Sequence, residues 1–412
     1  MVIIGNKRLM YFFKWRQFAY AKTNNKLCRI MSLISDELHN RIVANKEGVI
    51  MKKTLLTTLS TFALMALLGA CVPSSTESTA AKEGDSSAAS AESAESTAAQ
   101  TGESSKTVDE NLPKIGVIQL VDHTSLNIIY DAFSKELVEL GYKDGENVII
   151  NFKNAQGDMA NLPTIVQSFE ADKQDVVVAI TTPVAQAAMS LTASTPVIFS
   201  AVTNPVEAGV VSDLNTIDKG MTGTTDAVNV DKIMDLAMSI SKDAKTVGYI
   251  YNPGEDNSVS NLAALKEYAS SHGLTIEEAS ISSSVDLQSA ASSLAEKVDI
   301  FFVANDNTVA ESMPVLVKVA NDAKKPLYVG ADSMVMDGGF ATVGIDYTDL
   351  GKETARMVDQ VLKGKKVEEM PVKVFKDDLY TYINTDTAKT IGVEIPESIL
   401  SDEKFVEIKN KK

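Results

Sequence analysis

Cysteine is nearly absent. Only Cys28 and Cys71 occur in 412 residues, which excludes a disulfide framework and a multi-cysteine metal site. Histidine is almost as scarce, with three residues and no His-Glu-x-x-His pair among them. The chain has no Gly-x-Ser-x-Gly elbow and no glycine-rich phosphate loop, so acyl transfer on a hydrolase plan and nucleotide-dependent chemistry both lack their sequence signatures. Basic charge is also short. The formal net charge is −16, and residues 1–70 hold 11 of the 39 Lys and Arg but only 3 of the 55 Asp and Glu, so the remainder carries −24. An acidic surface of that size disfavours nucleic acid and anionic lipid as partners.

Long apolar runs are missing too. The most apolar stretch, Leu55 to Leu67, is short for a bilayer span and ends abruptly in Leu68-Gly69-Ala70-Cys71. With Met51-Lys52-Lys53 ahead of it, this is the pattern of a secretory signal with a small-residue cleavage site. The cysteine placed directly after makes 51–70 resemble a bacterial lipoprotein signal, which implies that Cys71 is diacylated and becomes the mature N-terminus. Lys46-Glu47-Gly48 can be encoded by a ribosome-binding sequence just before Met51, so residues 1–50, which contain the sole tryptophan, Trp15, read as a translated leader. Residues 71–112 are dominated by Ser, Ala, Thr and Glu, and have too little apolar area to offset the entropy of ordering. They read as a flexible tether.

From Pro113 onward the pattern changes. Short β-branched runs, "KIGVIQL" (114–120), "DVVVAI" (175–180), "PVIFS" (196–200), "TVGYIY" (246–251), "DIFFVA" (299–304) and "PLYVG" (326–330), alternate with amphipathic stretches. Continuous apolar strands separated by helices predict parallel sheets covered on both faces, the doubly wound α/β class. An internal repeat sharpens this. "DVVVAITTPVAQAAM" (175–189) aligns without a gap on "DIFFVANDNTVAESM" (299–313), and each is followed by a proline-led strand. Two α/β lobes of similar build are the economical reading. Ligands bind outside the carboxyl ends of strands in such sheets, so facing lobes point Thr181-Thr182-Pro183 and Asn305-Asp306-Asn307 into one cleft. The threonines are equally suited to simple helix capping.

The stretches "AVTNPVEAGVV" (201–211), "YNPGEDNS" (251–258), "NDNTV" (305–309) and "GADSMVMDGGFATVGIDYTDLGKETARMV" (330–358) resemble the substrate-binding proteins of ABC importers, and more narrowly the TrpX-like group for aromatic amino acids. The resemblance implies a two-lobed periplasmic-binding-protein fold of type I. It places 113–224 and 341–364 in one lobe and 225–340 with 365–412 in the other. It also implies a monomer without cofactor, held by lipid on the outer face of the cell membrane, which captures a small solute and delivers it to an ABC permease and ATPase. A sensor or adhesin, or a sugar or nucleoside ligand, stays open on the same residues.

An amino acid brings a carboxylate, an ammonium and a side chain, so its cleft needs donors, an acid and an apolar wall. Thr181, Thr182, Asn257 and Ser258 are the candidate donors, with Asn257 also able to cap the helix it opens. Asp306 and Asp332 are the candidate acids, Asp306 favoured over a capping role because Asn307 or Thr308 could cap instead. His123 and Thr124 follow the first strand and border the cleft, where an imidazole can contact an anion or stack on a ring. Tyr251 and Tyr347 could provide aromatic walls but better suit packing in the core or at a crossover. His123, Ser258 and Asp306 could be imagined as a triad, but without a nucleophile elbow the binding reading stands ahead of an enzyme. Limited proteolysis should trim the purified protein to a stable core beginning near Pro113, detected by mass spectrometry; protection of residues 80–105 would sink the tether reading.

Overall fold

The computed structural model describes residues 111–375 and 379–410. The leader, the signal segment, Cys71 and the tether as far as residue 110 lie outside the described residues. Among those described, no helix is long and apolar enough to cross a membrane.

The chain first builds β1 (Lys114–Gln119), α1 (Thr124–Glu139), β2 (Ile149–Asn154), α2 (Leu162–Asp172), β3 (Val176–Ile180), α3 (Thr182–Ala188), β4 (Val197–Ser200) and β5 (Met221–Thr225). It then crosses to α4 (Val230–Ile240), β6 (Thr246–Tyr251), α5 (Asp256–His272), β7 (Thr275–Ser280), α6 (Leu287–Ala295), β8 (Ile300–Val303), α7 (Asn307–Ala310), α8 (Met313–Asp322), β9 (Leu327–Val329), α9 (Asp332–Met336) and β10 (Ala341–Gly344). Next come α10 (Tyr347–Leu362) and β11 (Lys373–Val374), then β12 (Tyr380–Asn384), α11 (Thr385–Ile391), α12 (Glu397–Leu400) and β13 (Phe405–Ile408).

Two sheets result. The first runs β11-β5-β4-β3-β1-β2 and is parallel throughout; the second runs β13-β12-β10-β9-β8-β6-β7, antiparallel only between β10 and β12. The central strands are buried along their length, as in Val176–Ile180 and Ile300–Val303, because helices cover both faces. This is the α/β architecture of two helix-flanked sheets expected from the sequence.

The repeat is visible in the topology. The orders β2-β1-β3-β4-β5 and β7-β6-β8-β9-β10 are the same path, so the aligned segments 175–189 and 299–313 occupy the same place in the two lobes. Even the leading aspartates correspond. Asp175 accepts from the Lys114 amide at 2.8 Å, and Asp299 accepts from the Lys245 and Thr246 amides at 2.8 and 2.9 Å, each carboxylate tying the base of its own strand to the neighbouring one.

The lobe boundaries need correction at two points. β10 (Ala341–Gly344), expected in the first lobe, pairs with β9 and β12 in the second sheet; β11 (Lys373–Val374), expected in the second, pairs with β5 in the first. Strand hydrogen bonding decides this. The chain therefore changes lobe after β5, after β10 and between β11 and β12, which places the first two crossovers near Asp226 and Ile345.

α10 re-enters the first lobe and packs on α1. Asp346 caps it by accepting from the Thr348 amide, and Tyr347, Leu350, Gly351, Thr354, Ala355 and Val358 form its buried stripe at helical spacing. Gly351 is needed for close approach: a Cβ there would stand 2.3 Å from the Ile129 carbonyl oxygen and 2.7 Å from Ala132 Cβ. Gly351→Ala should therefore cost about 1–3 kcal/mol in denaturant unfolding, the range for overpacking a tight contact; an unchanged midpoint would show that the helices can part freely.

Candidate functional site

The carboxyl ends of the two sheets face each other, and the lobes touch across the gap. Thr124 Oγ1 donates to Asp337 Oδ1 at 2.8 Å, Ser125 and Ser333 share a hydrogen bond of 2.7 Å, Asn305 Nδ2 donates to Thr203 Oγ1 at 2.8 Å, and Gln186 Nε2 donates to Asp256 Oδ2 at 2.7 Å. This is a closed arrangement. It encloses a small cavity lined by both polar and apolar side chains.

Six of the nine sequence-derived candidates line that cavity: His123, Thr181, Thr182, Asn257, Asp306 and Asn307. The other three do not. Thr124 sits at the lip in its bond to Asp337, and Ser258 lies behind the wall, donating to Asp306 Oδ2 at 2.6 Å. Asp332 is buried at the start of α9 beside the crossover, outside the cavity wall.

Thr181 is the residue before α3, yet neither its hydroxyl nor that of Thr182 makes a capping bond. Both oxygens are buried and without a partner, as are His123 Nδ1 and Asn257 Oδ1 on the same cavity wall. An unmatched buried polar atom costs about 1–3 kcal/mol, so four of them in one place call for an external partner. Backbone strain coincides with them. Thr181 has φ 92° and Ala201, also on the wall, φ 55°, conformations that residues bearing a Cβ rarely hold. Asn257 lies one residue inside the first turn of α5, which Glu255 precedes, so it is not the cap.

Asp306 requires the opposite correction. Expected to face an ammonium, it is the N-cap of α7: Oδ1 accepts from the Val309 amide at 2.9 Å, and Oδ2 from the Asn252 amide at 2.7 Å and from Ser258. Its donors all belong to the second lobe, so this acid does not bridge the lobes. Burial and the charge of Glu255 hold its pKa well above the usual carboxylate range.

The acid that sits between the lobes is Asp226, which the sequence reading missed. It follows β5 at the first crossover and is buried; Oδ1 accepts from Thr203 Oγ1 at 3.0 Å, and Oδ2 from Asn305 Nδ2 at 2.5 Å and from the Tyr347 hydroxyl at 2.7 Å. Burial raises its pKa against the pull of those donors. A signal existed in "MTGTTDAV", where an acid follows a strand, but that strand is threonine-rich and carries no apolar run. Tyr347 serves the crossover and the cavity wall together, while Tyr251 stays with Tyr249 in the second lobe. Leu126, Ala310 and Met334 supply the apolar part of the lining.

No triad assembles. His123 Nε2 bonds to Asn307 Oδ1 at 3.3 Å, while the Ser258 hydroxyl is given to Asp306. Burial lowers the His123 pKa to about 4, so the ring is neutral near pH 7. Burial raises that of Asp332 to about 7, with Asp346 adding to the effect. Since a folded pKa above the unfolded value favours the protonated native state, the Asp332 contribution is fully present below about pH 4 and lost as pH rises through about 7. His123 acts with the opposite sign, its contribution being lost as pH falls from about 6.5 through about 4. Asp332→Asn should therefore gain stability relative to wild type as pH is raised from 4.5 to 7.5 in urea unfolding. Parallel curves would place the Asp332 carboxyl in contact with solvent.

The family model for ABC transporter substrate binding proteins matches residues 114–406. A tyrosine-binding protein of Clostridioides difficile is 39% identical over 292 residues, covering 71% of this chain and 84% of its own length. Among solved structures, an ABC domain in complex with L-Trp from Streptococcus pneumoniae is 38% identical, covers 72% of this chain and 100% of its own, and superposes with a TM-score of 0.69. A ligand-free, open substrate-binding protein with adhesive properties from Clostridium difficile is 40% identical over 73% of this chain and 100% of its own, with a TM-score of 0.56. At like identity, the chain superposes better on the complex than on the open form, in keeping with its closed lobes.

Proposed function

Because this chain belongs to the family of ABC transporter substrate-binding proteins, a family of binding proteins rather than enzymes, we propose that it captures an aromatic L-amino acid, tyrosine or tryptophan, between its lobes and delivers it to an ABC permease. One observation carries the ligand class: buried polar atoms without partners (Thr181, Thr182, Asn257, His123) share a cavity with a buried carboxylate, Asp226, and with the apolar side chains of Leu126, Ala310 and Met334. The ligands of the tyrosine-binding and tryptophan-complexed relatives support the choice of an aromatic side chain.

The reading assigns each group a task. Asp226 receives the ammonium, which restores to a desolvated carboxylate the counter-charge that burial denies it. The threonine hydroxyls donate to the ligand carboxylate, and the apolar wall takes the ring. Ligand contacts come from both lobes, so binding favours the closed state over an open one, and closure presents the joined lobe surfaces to the permease. Cys71, after the small-residue stretch Leu68-Gly69-Ala70, carries the lipid that holds the protein at the outer face of the cell membrane. Adhesion is a compatible second role, favoured by the relative with adhesive properties.

Isothermal calorimetry of residues 108–412 with the twenty amino acids tests this. Binding selective for aromatic side chains is expected, with Asp226→Asn weaker by at least about 1.5 kcal/mol, the scale of a charge-assisted hydrogen bond. Asp306→Asn should instead lower the melting temperature, because an amide keeps one acceptor oxygen where the carboxylate has two and so leaves either the Val309 amide or the Asn252 amide without its partner. Binding of sugars or nucleosides alone would overturn the amino acid assignment, and an unchanged affinity in Asp226→Asn would remove that residue from the site.

A further inference from the structure

Glu255 is buried in the second lobe and accepts five hydrogen bonds. Its Oε2 receives Asn257 Nδ2, the Asn307 amide and Asn307 Nδ2, the last at 2.6 Å; its Oε1 receives the Thr308 amide and hydroxyl. The Asn307 side-chain nitrogen is thereby committed to Glu255, and its oxygen is the atom turned across the cleft toward His123. An amide oxygen only accepts, so His123 Nε2 must carry the hydrogen. The neutral ring then has its other nitrogen bare. Nδ1 is an obligate acceptor, buried and without a donor.

The strand order locates this acceptor. Asp226 follows β5, Thr181 and Thr182 follow β3, and His123 follows β1, and the first sheet is ordered β5-β4-β3-β1. At roughly 4.8 Å per strand, the acid at the crossover edge and the imidazole stand on the order of 14 Å apart in the sheet before their side chains converge on the cavity. The hydroxyls lie between them. For a ligand whose ammonium meets Asp226 and whose carboxylate meets the threonines, His123 is the group beyond the threonines that a side chain extending along the same edge reaches.

The geometry points to His123 as the residue that selects the side chain, its bare Nδ1 accepting a hydrogen bond from a donor on the ligand ring, with Glu255 and Asn307 as the positioning residues that fix the tautomer. This inference rests on the proposed amino acid reading and narrows it: a phenol O–H or an indole N–H is recognised, and a plain phenyl ring is not. A site that hydrogen-bonds a ligand group discriminates against the analogue lacking it, because the buried acceptor is then left unmatched.

Calorimetry with tyrosine, phenylalanine and O-methyltyrosine, on wild type and His123→Leu, tests the assignment. O-methyltyrosine keeps the ring oxygen and removes its hydrogen. Wild type should prefer tyrosine over both others by about tenfold or more, the scale of one buried hydrogen bond, and His123→Leu should bring the three affinities within about twofold of one another. Imidazole nitrogen NMR of the wild-type protein provides a second readout, independent of whether the variant folds: Nε2 should be protonated and Nδ1 bare without ligand, with Nδ1 shifting on addition of tyrosine but not phenylalanine. Equal wild-type affinities for tyrosine and phenylalanine would overturn this inference while leaving the aromatic amino acid reading intact. A protonated Nδ1, or a uniform loss for all three ligands in His123→Leu, would also overturn it. Binding of none of the three, and of tryptophan neither, would overturn the parent reading itself.

Discussion

Asp226 takes hydrogen bonds from Thr203 of the first lobe, Asn305 of the second and Tyr347 at the second crossover. One desolvated carboxylate thus joins both lobes at the point where the chain passes between them. Its three donors compensate part of what burial costs a charge, but they are neutral groups, and burial still dominates its proton affinity. A carboxylate held this way fixes the closed geometry and at the same time favours any cation that can reach it. In the proposed reading, structural joint and binding group are the same atoms.

The rest of the cleft follows from two parallel sheets. Every strand of a parallel run points the same way, so loops that can bear polar groups emerge along one edge, and apposing two such edges concentrates them. Asp122 to Ser125, Thr181 to Thr182, Ala201 to Thr203 and Asp226 are successive loop starts of the first lobe; Glu255 to Asn257, Asn305 to Asn307 and Asp332 to Ser333 are those of the second. Groups of the second set are largely bonded to one another: Glu255 and Asp306 are fully engaged with local amides and hydroxyls. The first set carries the unmatched hydroxyls and the strained Thr181 and Ala201. The lobes are therefore alike in path and different in chemistry: the first presents three of the four unmatched cavity atoms, while the second presents Asn257 Oδ1 beside groups bonded largely among themselves.

That division explains the fate of the sequence-derived site. Thr181 and Asp306 stand one position apart in aligned repeats, yet Thr181 has no side-chain capping bond while Asp306 is a cap with every oxygen used. Residue type favoured Asp306 as the acid for a ligand, because a carboxylate after a buried strand reads the same way whether or not local amides claim it. Asp226 was passed over because "MTGTT" has the composition of a loop, although all five residues are buried in a parallel strand between β4 and β11.

The sequence by itself determined the elements whose stability is local and periodic. The β-branched runs at 176–180 and 300–303 and the repeated strand-turn-helix units are where apolar period and backbone preference put them. It also brought six cavity residues into view, since strand ends in a parallel sheet must share an edge. Tertiary structure decided what depends on partners distant in the chain: the exposed edge strand Thr275–Ser280, the exchange of β10 and β11 between lobes, and the commitment of Asp306 inward and Asp226 across the cleft. The reason is physical. A hydrogen bond between residues some 80 or 120 positions apart, such as those joining Asp226 to Asn305 and Tyr347, leaves no periodic trace in composition, and only the assembled sheets bring its donors within reach of its acceptor.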